Sequence, residues 1–106
     1  MSQDNVTIEL RDFDLEYDAQ NLLRAVLDRV SQASPSDSAI RFVLEKSKSA
    51  FRGSCRVVSR AGIFVAEAIT KDPIDVAKQI EKKLAQQLLD WKRGRFHGRA
   101  TLDKKD

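Results

Sequence analysis

The stretch DPIDVAKQIEKKLAQQLLDWK, residues 72–92, constrains this chain more than any other. Asp72 followed by Pro73 predicts a helix start. The aspartate accepts from the free N–H groups of the first turn, and proline fits the first helical position, where no donor is needed. Asp75 then favours the positive end of the helix dipole. From there Ala77, Ile80, Leu84, Leu88 and Trp91 recur at spacings of 3, 4, 4 and 3, one apolar stripe along a helix. Gly94 permits the stop. A helix of this length gains most of its stability from packing that stripe, so the rest of the chain has to supply an apolar surface.

Alternating segments supply it. In VTIEL (residues 6–10) Val6, Ile8 and Leu10 share a face, and in AIRFVLEK (39–46) Ile40, Phe42 and Leu44 do. In FRGSCRVVSR Cys55 and Val57 point one way, and Arg52, Arg56 and Arg60 the other. Arg60-Ala61-Gly62 predicts a tight turn into IFVAEAIT, with Phe64, Ala66 and Ala68 inward. Ile63, Val65 and Ile69 then lie on the outer face, an apolar set that suggests a contact surface. Between the first two strands RDFDLEYD reads as a connection. Asp18 is expected to cap a first helix through AQNLLRAVLDRVSQ, with Leu22, Leu23, Val26, Leu27 and Val30 as its apolar stripe. SQASPSDS ends it, because serines, proline and aspartate draw the backbone into turns. The predicted order is β-α-β-β-β-α, an α+β two-layer sandwich with four strands and both helices on one sheet face.

At 106 residues the chain has room for one core. Residues 1–94 are expected to form that domain and 95–106 a basic, flexible tail. The start, MSQDNVTIEL, lacks a signal peptide's basic lead and apolar run, and no stretch approaches the roughly 20 apolar residues needed to span a bilayer. A cytoplasmic protein with no membrane contact is the expectation. One cysteine excludes an internal disulfide and a multi-cysteine metal site.

Catalytic chemistry finds little support. The one histidine, His97, lies in the Gly-flanked tail, away from any scaffold that would fix its partners. Cys55 falls on an apolar strand face and is expected to be a buried, inert thiol. Gly53, Gly62, Gly94 and Gly98 are too scattered to cradle a phosphate. Asp12/Asp14 and Asp103/Asp106 lie in connections or the tail. No enzyme activity, cofactor, metal or small-molecule substrate is expected.

The charge is uneven. The whole chain carries 19 basic and 16 acidic residues, a net +3. Residues 81–99 hold six of the basic and two of the acidic, +4, which leaves 13 and 14, or −1, for the remainder. Opposite the apolar stripe of the last helix run Lys78, Lys82, Gln86, Leu89 and Arg93, flanked by Lys83 and Lys92. Arg95 and Arg99 extend the run, and Arg24 and Arg29 of the first helix are candidates to join it. Such a face is either solvated surface or a surface for phosphates, which bind through charge and counterion release without a motif. The Arg52, Arg56 and Arg60 face is a rival patch, but RNA-binding sheets add stacking aromatics and this one shows none.

The segments AIRFVLEK, Arg60-Ala61-Gly62, FVAEA (64–68) and KDPIDVAKQIEKKLAQQLLDWK (71–92) resemble the ribosome hibernation-promoting factors, also called ribosome-associated inhibitors or protein Y, over about residues 5–93. The β-α-β-β-β-α order is that family's, a relative of the double-stranded RNA-binding domain. The resemblance implies a non-enzymatic protein that occupies the decoding channel of the small ribosomal subunit and silences translation in stress. Basic residues of the helical face would contact ribosomal RNA. The matching positions are Lys82, Lys83, Lys92 and Arg93, with Arg24 and Arg29 as counterparts in the first helix. Long members add a C-terminal dimerising domain. This chain ends at Asp106 and resembles the short forms, so a monomer is expected away from the ribosome. A general double-stranded RNA binder, or a protein-interaction module using Ile63, Val65 and Ile69, are the alternatives.

Overall fold

Alternation in four short segments and helical periodicity in two longer ones resolve into a sheet with a pair of helices on one face. The computed structural model describes residues 5–94. In chain order these form β1 (Val6–Arg11), α1 (Tyr17–Ala33), β2 (Ala39–Ser47), β3 (Ala50–Ser59), β4 (Gly62–Thr70) and α2 (Pro73–Lys92). This is the expected β-α-β-β-β-α sandwich. The strands lie side by side in the order β1-β2-β3-β4. β1 runs parallel to β2, which requires the crossover that α1 provides, and the other pairs are antiparallel. Two-residue turns join the hairpins, Lys48-Ser49 between Ser47 and Ala50, and Arg60-Ala61 between Ser59 and Gly62.

The register brings the apolar positions into rows on one face: Ile8, Phe42, Cys55 and Ala66 are successive partners, as are Val57 and Phe64. Leu23, Val26, Leu27 and Val30 of α1 and Val76, Ala77, Ile80, Leu84 and Leu88 of α2 close over this face, and all of them are buried. Trp91 is half-buried at the end of the stripe, edge-on to Phe64 with ring centroids 6.3 Å apart. Among the described residues no helix is long and apolar enough to cross a membrane.

Three expectations are corrected. Asp18 does not cap α1: the cap position is Glu16, whose side chain makes no capping hydrogen bond, and Asp18 sits inside the first turn. Leu22 points outward and is 52% exposed, because α1 turns Leu23 and Val26 to the sheet and leaves Leu22 beyond the edge of that stripe. Arg60 lies in the turn after β3 rather than on its arginine face, and its backbone N–H donates to Asp37 Oδ2 at 2.9 Å.

The start of α2 is as read. Asp72 Oδ1 accepts from the Ile74 N–H at 2.8 Å, with proline next in line. Asp72→Ala is expected to lower stability by about 1 kcal/mol, the usual worth of such a cap, seen as an earlier urea midpoint with an unchanged slope.

Candidate nucleic-acid interface

One turn of helix is about 3.6 residues, so each residue of α2 advances about 100° around its axis. On that spacing Lys92, Lys78, Lys82 and Arg93 fall within an arc of about 100°, opposite the buried stripe. All four are exposed. From Lys78 to Arg93 the ridge is about 22 Å long at about 1.5 Å per residue. Among the described residues none of the four has a hydrogen-bonded or ionic side-chain partner, so their charge is available to a ligand. Lys92 in the last turn and Arg93 at the C-cap also face the negative end of the helix dipole. The acids beside the ridge are partly engaged: Gln86 Nε2 donates to Asp90 Oδ1 at 3.2 Å and Gln79 Nε2 to Asp75 Oδ2 at 3.4 Å.

The other expected positions do not all join this ridge. Lys83 turns toward the sheet, and its Nζ donates to the Glu67 carbonyl of β4 at 2.6 Å. Arg29 crosses from α1 to α2 in a two-point pair with Glu81, Nε to Oε2 at 2.6 Å and Nη2 to Oε1 at 3.0 Å. That hydrogen bond, reinforced by the Glu81 charge, raises the Arg29 pKa and fixes the guanidinium in its charged form. Arg24 lies about 140° around α1 from Arg29, hence on the flank away from α2. It is exposed there and separate from the ridge. Arg95 lies outside the described residues, as do His97, Arg99 and the rest of the expected tail.

Sequence reading missed Gln87. Its Nε2 donates to the Val65 carbonyl at 2.7 Å and its Oε1 accepts from the Val65 N–H at 3.2 Å. One side chain thereby fills both hydrogen-bonding positions of an edge-strand residue, and with Lys83 it ties α2 to the rim of β4. The ridge is therefore held at a set angle to the sheet. A signal existed in retrospect, since Gln87 lies between the core stripe and Lys83 on the wheel, but nothing in its own residue type marks it.

The described residues include no group of three or more side chains suited to hold a metal ion. Burial pushes the Cys55 thiol up to about 12, with no cation near enough to offset it. Native protein at pH 8 is therefore expected to resist a thiol reagent such as dithionitrobenzoate and to react fully once unfolded in guanidinium. Rapid labelling of the native state would contradict the buried placement.

No protein-family model and no curated protein sequence matches the chain. Solved structures do. A ribosomal subunit interface protein from Coxiella burnetii superposes with a TM-score of 0.70 at 18% identity, covering 83% of this chain and 97% of that one. The N-terminal domain of Protein Y from Thermus thermophilus superposes with a TM-score of 0.65 at 15% identity, covering 77% and 91%. The chain shares their fold. At these identities backbone geometry agrees while most side chains differ, so which residues bind is a matter for this chain's own surface.

Proposed function

We propose that the protein is a ribosome-binding factor of the hibernation type. It would sit in the decoding channel of the small subunit and silence translation by excluding messenger and transfer RNA. The observation that carries this reading is the ridge of Lys78, Lys82, Lys92 and Arg93: four exposed cations along one helix and its C-cap, without hydrogen-bonded or ionic partners among the described residues. Its fold is shared with a protein of the ribosomal subunit interface and with Protein Y. The mechanism needs no chemistry. Ribosomal RNA presents a fixed array of phosphates, and a rigid row of cations meets it without the entropy loss of ordering a loop. Blocking is then steric. Lys83 and Arg29 position the ridge rather than supply it, and Arg24 would reach a separate phosphate if it contributes.

The test is competition on purified small subunits. A labelled messenger fragment and the protein are expected to displace each other. Simultaneous saturation by both would overturn the channel assignment, and equal affinity for a plain RNA duplex would favour general double-stranded RNA binding.

A further inference from the structure

The two edges of the sheet are finished differently. At β4, Gln87 fills both backbone positions of Val65 and Lys83 donates to the Glu67 carbonyl, so side chains of α2 stand where a fifth strand would pair. At β1, among the described residues, no hydrogen bond reaches the backbone groups of the outer edge. β1 pairs with β2 without interruption from Val6 to Arg11, and neither a bulge nor a proline blunts it. Val6, Ile8 and Leu10 pack against the core yet stay only half-buried on this edge. One strand further in, Ile40, Phe42 and Leu44 of β2 are fully covered. The charges of β1 do not close the edge either. Glu9 and Arg11 point to the open face, where Glu9 is held by Arg11 and by Arg41 of β2, each at 2.5 Å.

An open edge accepts an extended strand, and β1 fits a second copy of itself in one register. Antiparallel pairing about Ile8 sets Ile8 against the second copy's Ile8, Val6 against its Leu10 and Thr7 against its Glu9. Apolar side chains then meet apolar side chains on the helix side, and no like charges stand directly opposite. A register centred on Glu9 would put glutamate against glutamate, and registers centred on Thr7 or Leu10 pair fewer residues. Since α2 already occupies the rim of β4, each chain has one open edge among the described residues. Addition therefore stops at two copies, related by a two-fold axis, instead of running on into a filament.

We propose that the protein self-associates through β1, two copies pairing antiparallel about Ile8 into one continuous eight-stranded sheet, while Gln87 and Lys83 keep the β4 edge closed. No cation of the α2 ridge takes part, so the contact stands independently of ribosome binding. Strands about 20 Å long bury less than the roughly 800 Å² per partner of a stable interface, so the dimer is weak, half formed at about 1 mM. The monomer expected from the sequence is its dilute form.

NMR of the whole chain, diluted from about 1 mM to about 20 µM, tests the proposal. Translational diffusion is expected to quicken on dilution, with amide shifts moving over Val6–Arg11 while Val65, Glu67, Lys78 and Lys82 stay in place. Thr7→Glu alters an exposed residue and sets glutamate opposite Glu9 twice per dimer. It should weaken association roughly tenfold with little change in melting temperature. Ile8→Cys should cross-link to its own mate under mild oxidation, because residues facing each other across antiparallel strands lie within disulfide reach. Thr7→Cys faces Glu9 and should not, and Cys55 is buried and does not compete. A monomer throughout the dilution, unchanged association of Thr7→Glu, or cross-linking of Thr7→Cys equal to that of Ile8→Cys would overturn the proposal. The dilution series and Thr7→Glu decide it even if Ile8→Cys fails to fold.

Discussion

Gly53→Ala is expected to destabilise the protein by about 2 kcal/mol, the scale of forcing one extra carbon into a packed core. Gly53 lies on the inner face of β3 beneath the first turns of α2. A Cβ there would stand 2.4 Å from Val76 Cγ1, 3.2 Å from Ile80 Cδ1 and 3.4 Å from Leu44 Cδ1. Val76 is β-branched and fully buried, so it cannot swing aside. The helix would have to lift, and with it the stripe from Ala77 to Leu88. In a domain of this size the melting temperature should fall by about 10 °C. Val76→Ala removes the nearest obstacle, so the pair Gly53→Ala/Val76→Ala should be more stable than the sum of the two single changes predicts. Strict additivity, or an unchanged midpoint in Gly53→Ala, would mean that α2 does not approach β3 as described.

Reversal of the ridge should have the largest effect on binding. Lys78→Glu, Lys82→Glu and Arg93→Glu together replace three attractive charges by three repulsive ones on a surface that makes no core contact. Affinity for ribosomal RNA is expected to fall roughly a hundredfold or more at low salt, while the melting temperature moves little. If all four ridge cations meet phosphates, the wild-type logarithmic salt slope is about −3, a loss of roughly sixtyfold between about 50 and 200 mM salt. Lys82→Ala alone should make that slope shallower by about 0.7–0.9. Lys83→Ala is expected to act differently, loosening the tie between α2 and β4 with little change in slope, since its ammonium is engaged by Glu67. A loss of slope equal to that of Lys82→Ala would show that Lys83 leaves the sheet to bind.

Much of this was legible from residue spacing. The alternation of Ile40, Phe42 and Leu44 and the 3-4-4-3 stripe of α2 report burial directly, because period 2 and period 3.6 allow one buried face each. Asp72-Pro73 was readable because its chemistry is local. What depends on distant partners was not. Leu15 and Phe13 sit in a stretch that reads as a connection, yet Leu15 is buried and Phe13 packs edge-on against Phe51 at 5.0 Å. Leu22 fits a helical stripe by hydropathy but lies at the margin of the arc that Leu23, Val26, Leu27 and Val30 bury, and is exposed. The basic residues show the same limit. Composition places Lys78, Lys82, Lys83, Lys92, Arg93, Arg24 and Arg29 in one charge class. Only the fold separates the free ridge from Lys83 on β4, Arg29 on Glu81 and Arg24 on the far flank of α1. Gln87, which pairs with the rim of β4, was marked only by its place beside the core stripe on the wheel, because an edge strand's free groups are invisible in sequence.

Ribosome binding through the α2 ridge is tested most directly by co-sedimentation of the purified protein with ribosomes through sucrose gradients at low and high salt, beside the triple ridge variant. The wild-type chain is expected to travel with the small subunit at low salt and to come off at high salt, while the variant stays at the top of the gradient at both. Failure of the wild-type chain to sediment at low salt, or sedimentation of the folded variant with wild-type occupancy, would contradict it.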